Sequence, residues 1–244
     1  MIGVFLAAIA IVPVAQAYVV DLTTLDASGV INGATFMQNG HLPNGSGVSR
    51  DFLRLGTGNT GIETGFNTDA RPLGPDLTDV NSSLTFTHSL MVSDLATLNG
   101  GNVVFRLDIN QANARPLLSM DFYQIWTAAT GDINSLADLT SQNLVYDMGP
   151  NKVYLNYSLE SGSGESDMDV FMPSAWFQGH EHDYLYLRVT FGATGGDYAA
   201  NDGPEQFSAL TGTPTIPVPE ASTFLLTSFG LGFIGIGLLK KRLG

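Results

Sequence analysis

The chain has 244 residues, 23 of them acidic and 10 basic, with a formal net charge of −13. Between 18 and 217 the imbalance sharpens to 22 acidic against 7 basic residues, a net charge of −15. Such a field repels DNA, RNA and anionic lipid and excludes nucleic acid as a partner. Cysteine is absent, so no disulfide or thiol chemistry contributes, and a segment of that length must hold together by its apolar core alone.

In chain order, residues 2–14 form an apolar run that ends in Ala15-Gln16-Ala17, the small-x-small pattern cut by signal peptidase. Cleavage is expected after Ala17, which makes 1–17 a signal peptide and the mature chain an exported one. No Lys or Arg precedes the run. The positive end then comes either from the free amino terminus or, as the pattern favours, from a start further upstream. Residues 21–75 are rich in Gly, Asn and Thr and read as early strands joined by long surface loops that cover an edge of the fold.

From residue 83 onward the pattern is that of half-buried strands. In 83–92, Leu84, Phe86, Leu90 and Val92 share one face with His88 among them. In 103–109, Val103, Phe105, Leu107 and Ile109 alternate with the outward-facing Arg106 and Asp108. Further strands are expected over 117–126, 152–159, 168–172 and 184–191. The last of these points Leu185, Leu187, Val189 and Phe191 inward and Tyr184, Tyr186 and Arg188 outward. Turn chemistry separates them, at Asn99-Gly100-Gly101, Thr130-Gly131-Asp132, Ser161-Gly162-Ser163-Gly164 and Gly195-Gly196-Asp197. Only 133–143 suits a short helical turn, with Asp132 as its N-cap. Many strands and no long amphipathic helix predict an all-β fold over 18–210, a two-layer antiparallel β-sandwich of jelly-roll or immunoglobulin-like arrangement. Residues 211–217, with two prolines, form an extended linker.

The tail, 218–244, opens with Val218-Pro219-Glu220-Ala221-Ser222-Thr223, continues as an apolar run over 224–239 and closes on the basic Lys240-Lys241-Arg242. At about 1.5 Å of rise per residue the run covers roughly 24 Å, a short single transmembrane helix against a hydrocarbon core of about 30 Å. The basic cluster belongs on the cytoplasmic side. This order of parts resembles the PEP-CTERM sorting signal of Gram-negative bacteria, with Ala221 where the second proline usually stands. The resemblance implies recognition at Pro219-Glu220 by an exosortase, a transient membrane anchor, and release of the remainder to the cell surface or extracellular matrix. The bland alternative is a plain C-terminal anchor. A second resemblance, over about 103–205, is to a group of such exported proteins. It rests on Leu107-Asp108-Ile109-Asn110-Gln111, Pro116-Leu117-Leu118-Ser119, Leu144-Val145-Tyr146-Asp147, Gly162-Ser163-Gly164 with Asp167-Met168, and Asn201-Asp202-Gly203. It implies association with exopolysaccharide or biofilm and carries no catalytic residues.

Chemistry-bearing constellations are few. Glu165, Asp167 and Asp169 follow an i, i+2, i+4 spacing, which in an extended segment lines up three hard oxygen ligands suited to calcium. The same residues also fit the polar face of a strand whose Met168, Val170 and Met172 point inward. His180-Glu181-His182-Asp183 offers two imidazoles, too few for a closed tetrahedral site, and otherwise reads as a solvated loop. Tyr123, Tyr154, Trp126, Trp176, Tyr184 and Tyr186 would stack on sugar rings if several shared an exposed face, and would otherwise pack a sheet. No Gly-x-Ser-x-Gly elbow, phosphate loop or dinucleotide fingerprint occurs. The residues therefore favour a non-catalytic surface or matrix protein, with a calcium-assisted polysaccharide-binding module as the alternative. A secreted hydrolase would require a cleft with two converging carboxylates.

Overall fold

The computed structural model of the chain describes residues 17–38, 49–56, 61–98, 101–161 and 166–211. The chain divides into two units, 1–213 and 214–244, and the account below concerns the first. Its strands, in order, are β1 (Val19–Asp21), β2 (Ser28–Ile31), β3 (Ala34–Gln38), β4 (Ser49–Arg54), β5 (Glu63–Phe66), β6 (Leu90–Met91), β7 (Asn102–Asp108), β8 (Leu117–Ala128), β9 (Asn143–Asp147), β10 (Lys152–Asn156), β11 (Met168–Pro173), β12 (Tyr184–Phe191) and β13 (Gln206–Leu210). A single α-helical turn, α1 (Leu136–Leu139), lies between β8 and β9.

Among the described residues the strands form two sheets. The first runs β1-β10-β8-β12-β5, with β6 also on β12 and β9 also on β8; the second runs β2-β3-β11-β7-β13-β4. The early strands β1, β5, β2 and β4 end the two strand paths, so they form edges themselves, and residues 39–48 and 57–60 of the loops expected to cover an edge lie outside the described residues. Every pairing is antiparallel except β1 on β10, which is parallel. That exception joins segments more than a hundred residues apart, a distance at which no local turn sets direction.

The core follows from strand alternation. Leu185, Leu187, Val189 and Phe191 of β12 are all fully buried, as are Phe105 and Leu107 of β7 and Met168, Val170 and Met172 of β11. The sheets meet through rings: Phe191 stacks on Phe207 at 6.1 Å, and Tyr123 meets Phe36 at 6.0 Å and Phe207 at 5.9 Å. Each large apolar side chain buried this way stabilises the fold by roughly 1.5–3 kcal/mol before entropy is charged against it.

Four expectations change on contact with the structure. Residues 83–87 form a turn rather than a strand, with Leu84 exposed, because Asn81 Oδ1 accepts from Ser83 N, Ser83 Oγ from Thr85 N, and Ser83 O from Phe86 N and Thr87 N. Short polar side chains there bond the local backbone and outcompete a ladder. The strand from Lys152 stops at Asn156, whose side chain accepts from Ser158 N and caps a 3-10 turn. The helical turn is capped by Ser135, which accepts from Asp138 N, while Asp132 instead takes the hydroxyl of Thr130. Tyr186 does point outward, yet it is fully buried, because Phe66 packs on it and 130–133 folds over it. No helix among the described residues is long and apolar enough to cross a membrane, and the apolar run 224–239 lies outside them.

Candidate functional site

Ala15, the motif Val218 to Thr223, the basic Lys240, Lys241 and Arg242, and Glu165 all lie outside the described residues. Of the remaining acids of the calcium trio, Asp169 is committed to Arg106, its lateral partner on β7, through Nε to Oδ1 at 2.9 Å, and accepts the hydroxyl of Ser166 at 2.8 Å. Asp167 accepts only the Ile109 amide, at 2.8 Å. Its other oxygen has no partner. Burial pushes the Asp167 carboxyl up to about 8; the Ile109 N–H opposes this, and the charges of Asp108 and Glu160 add to it. Among the described residues no group of three His, Cys, Asp or Glu side chains is placed to hold a metal ion.

The other sequence candidates separate in space. His180 Nδ1 is 2.7 Å from Asp183 Oδ2 and 3.2 Å from the Thr127 hydroxyl, and Asn143 reaches its Nε2, in the turn that precedes β12. His182 is exposed. Of the aromatics, Tyr123 lies between the sheets, and Tyr186 and Trp126 are buried. Tyr154 stacks on Tyr198 at 4.2 Å and Trp176 on Tyr146 at 5.7 Å, so no single exposed aromatic strip results.

Three of the segments quoted from the sequence, those around 107–111, 167–168 and 201–203, converge at one end of the second sheet. Asp167 binds the chain at both Leu107 O and Ile109 N, Ala112 N donates to Asn201 Oδ1, and Gly203 lies against Asn110. Beside them Gln206 of β13 pairs laterally with Arg54 of β4 on one side and Asp108 of β7 on the other. Their neighbours Leu53, Leu107 and Phe207 are fully buried between the sheets, so alternation turns Arg54, Gln206 and Asp108 to the outer face. Arg54 Nε donates to Gln206 Oε1 at 2.7 Å, Nη2 donates to the same oxygen, and the guanidinium lies 3.6 Å over the Phe86 ring.

This row, with Ile109, Asn110, Tyr157 and Pro204, lines a cavity of about 290 Å³. Its walls are built by close backbone approach. A Cβ on Gly203 would fall 2.0 Å from Asn110 Nδ2, and one on Gly56, at φ +105°, 2.7 Å from Pro204 Cα. Next to Pro204 the buried Glu205 accepts from Gln111 Nε2 at 2.5 Å, with Glu63 close by. Burial raises the proton affinity of both carboxyls and lifts Glu205 well above the ordinary carboxylate range, with the hydrogen bond to Glu63 and then its charge adding to the shift. One oxygen of each has no hydrogen-bond partner. Nothing local in the sequence marks Glu63 and Glu205. Only the run Asn110-Gln111 and the Asn201-Asp202-Gly203 turn were legible as unusual, and their meeting point was not.

The cavity presents one guanidinium, one carboxylate, two carboxamides and a phenol ring, a set that binds polar groups by paired hydrogen bonds. No family model, no curated protein and no solved structure matches the chain.

Proposed function

We propose that the chain is an exported, non-catalytic protein of the cell surface or extracellular matrix. In this reading a single C-terminal transmembrane helix anchors the precursor in the inner membrane, and an exosortase cuts at the Pro219-Glu220 motif. The surface product associates with exopolysaccharide. The observation that carries the reading is the tail itself: motif, apolar run and basic cluster in that order. Two features of the fold support it. The amide of Tyr18, the residue that follows Ala17, donates to Asn151 Oδ1 at 2.8 Å and its carbonyl accepts from Lys152 N at 3.0 Å, so the residue that signal cleavage would leave first is tied into the fold. At the other end β13 closes at Leu210, ahead of the proline-bearing 211–217 stretch that would carry the motif toward a membrane enzyme. The two sheets fit a jelly-roll-like or immunoglobulin-like sandwich. The acids with raised proton affinity, Glu63, Glu205 and Asp167, are buried within it and support a structural rather than a catalytic part for them.

Cell fractionation with intact-mass measurement of the wild type and Glu220→Ala tests the reading. The wild-type product is expected outside the inner membrane without residues 224–239, and the variant is expected to stay in the membrane with them. Equal mature masses would reject processing at this motif.

A further inference from the structure

We propose that the cavity bounded by Arg54, Asp108, Asn110, Tyr157, Pro204 and Gln206 binds one ring of an uncharged saccharide. Its volume of about 290 Å³ stands at the small end of ligand sites, enough for a single ring with little water left. The polar lining is made of planar groups, and planar carboxylates, carboxamides and guanidinium groups are suited to the paired donors and acceptors of adjacent hydroxyls. Tyr157, Ile109 and Pro204 supply the apolar surface that a ring's C–H face needs. One Arg and one Asp line the site, so neither an anionic nor a cationic ligand gains a net attraction from it.

The lining is also fixed in advance. Arg54 is held by Gln206 and by the Phe86 ring, Asn110 is seated against Gly203, and Pro204 against Gly56. Side chains already held in place lose little freedom when a ligand arrives, and binding is correspondingly less opposed. The inference deepens the matrix reading, on which the polymeric nature of the natural ligand rests; binding of the ring stands on the cavity alone.

The test uses the full-length protein in a zwitterionic detergent, so that no sugar head group competes. Methyl α-glucopyranoside, methyl α-mannopyranoside and methyl β-galactopyranoside serve as probes, and saturation-transfer NMR is the readout. At least one glycoside is expected to bind with a dissociation constant on the order of millimolar. Tyr157→Ala and Asn110→Ala are each expected to weaken it by about tenfold or more. Leu84→Ala, a change at an exposed side chain, leaves it unaltered. Gln206→Glu, nearly the same size, gives a second variant should either alanine lower the thermal midpoint. No transfer to any of the three glycosides overturns the proposal, and so does transfer that survives in all cavity variants. Because processing at Glu220 is measured separately, a failed ring site with intact processing sinks this inference and leaves the matrix reading standing.

Discussion

The outer faces of the two sheets solve the same problem in opposite ways. On the first sheet the chain covers its own outward aromatics. The Tyr186 hydroxyl donates to Thr130 O at 2.7 Å and accepts from Ile133 N at 3.2 Å, Thr68 Oγ1 donates to Ile133 O at 2.7 Å, and Leu77 and Leu139 are buried with them. On the second sheet several outward side chains are polar and answer one another laterally, as Arg54–Gln206–Asp108 and the buried Arg106–Asp169 do across neighbouring strands, beside the apolar Val104 and Phe171. The first face is held by packing plus a few satisfied hydroxyls, the second by ion pairing and amide contacts. The difference teaches where function has room: a face sealed by its own loops is committed to stability, and on the second face, where the Arg106–Asp169 pair is equally buried, the row Arg54–Gln206–Asp108 keeps polar groups within reach of a ligand.

The sharpest break of this contrast is on the second sheet. Arg106→Leu leaves the buried Asp169 without its ion pair and is expected to cost about 3–5 kcal/mol in urea unfolding at pH 7. The double change Arg106→Leu with Asp169→Leu should recover most of that loss, since two apolar residues replace a buried pair at little cost. A smaller effect, of opposite sign, is expected at Asp167. This carboxyl holds its proton more tightly in the fold than in the unfolded chain. Its contribution is therefore fully present below the ordinary carboxyl range near pH 4 and is lost as pH rises through about 8. Asp167→Asn keeps an acceptor for Ile109 and removes the titration. It should be more stable than the wild type at pH 8.5 by about 2 kcal/mol or more and equal to it near pH 4. Glu63 and Glu205 shift in the same direction, so part of the pH dependence will persist in that variant. The least effect belongs to the first sheet: Tyr186→Phe keeps the ring in place and orphans Thr130 O and Ile133 N, for about 1–2 kcal/mol by thermal unfolding. If that loss exceeded the one at Arg106, the contrast between the faces would be reversed.

What the sequence made legible was alternation. Strands at 103–109, 117–126, 168–172 and 184–191 and their inward residues emerge as read, because a two-residue period is written in the side chains themselves. Residues 83–92 show the limit of that signal. Their apolar spacing suits a strand, but Asn81 and Ser83 bond the backbone first, and only Leu90 and Met91 reach a ladder. The outward burial of Tyr186 was equally hidden, because the segment covering it lies more than fifty residues away. The same holds for the candidate site. Arg106 read as an outward residue and Asp169 as a calcium ligand or part of a polar strand face, and their burial as a pair was hidden because they meet only through the register of β7 and β11. The row Arg54–Gln206–Asp108 joins three strands from distant parts of the chain, and pairing of that kind depends on register rather than on any local pattern.

One property of the strand order bears on when the fold can close. β13, the last strand, is inserted between β7 and β4, so the second sheet stays open until residue 210 has been delivered. Of the strands synthesised first, β2 and β3 pair with each other at once, whereas β1, β4 and β5 wait for β10, β13 and β12 from the second half of the chain. A chain of this design closes its second sheet only once nearly all of it is present, so completion of the fold is a late and non-local event.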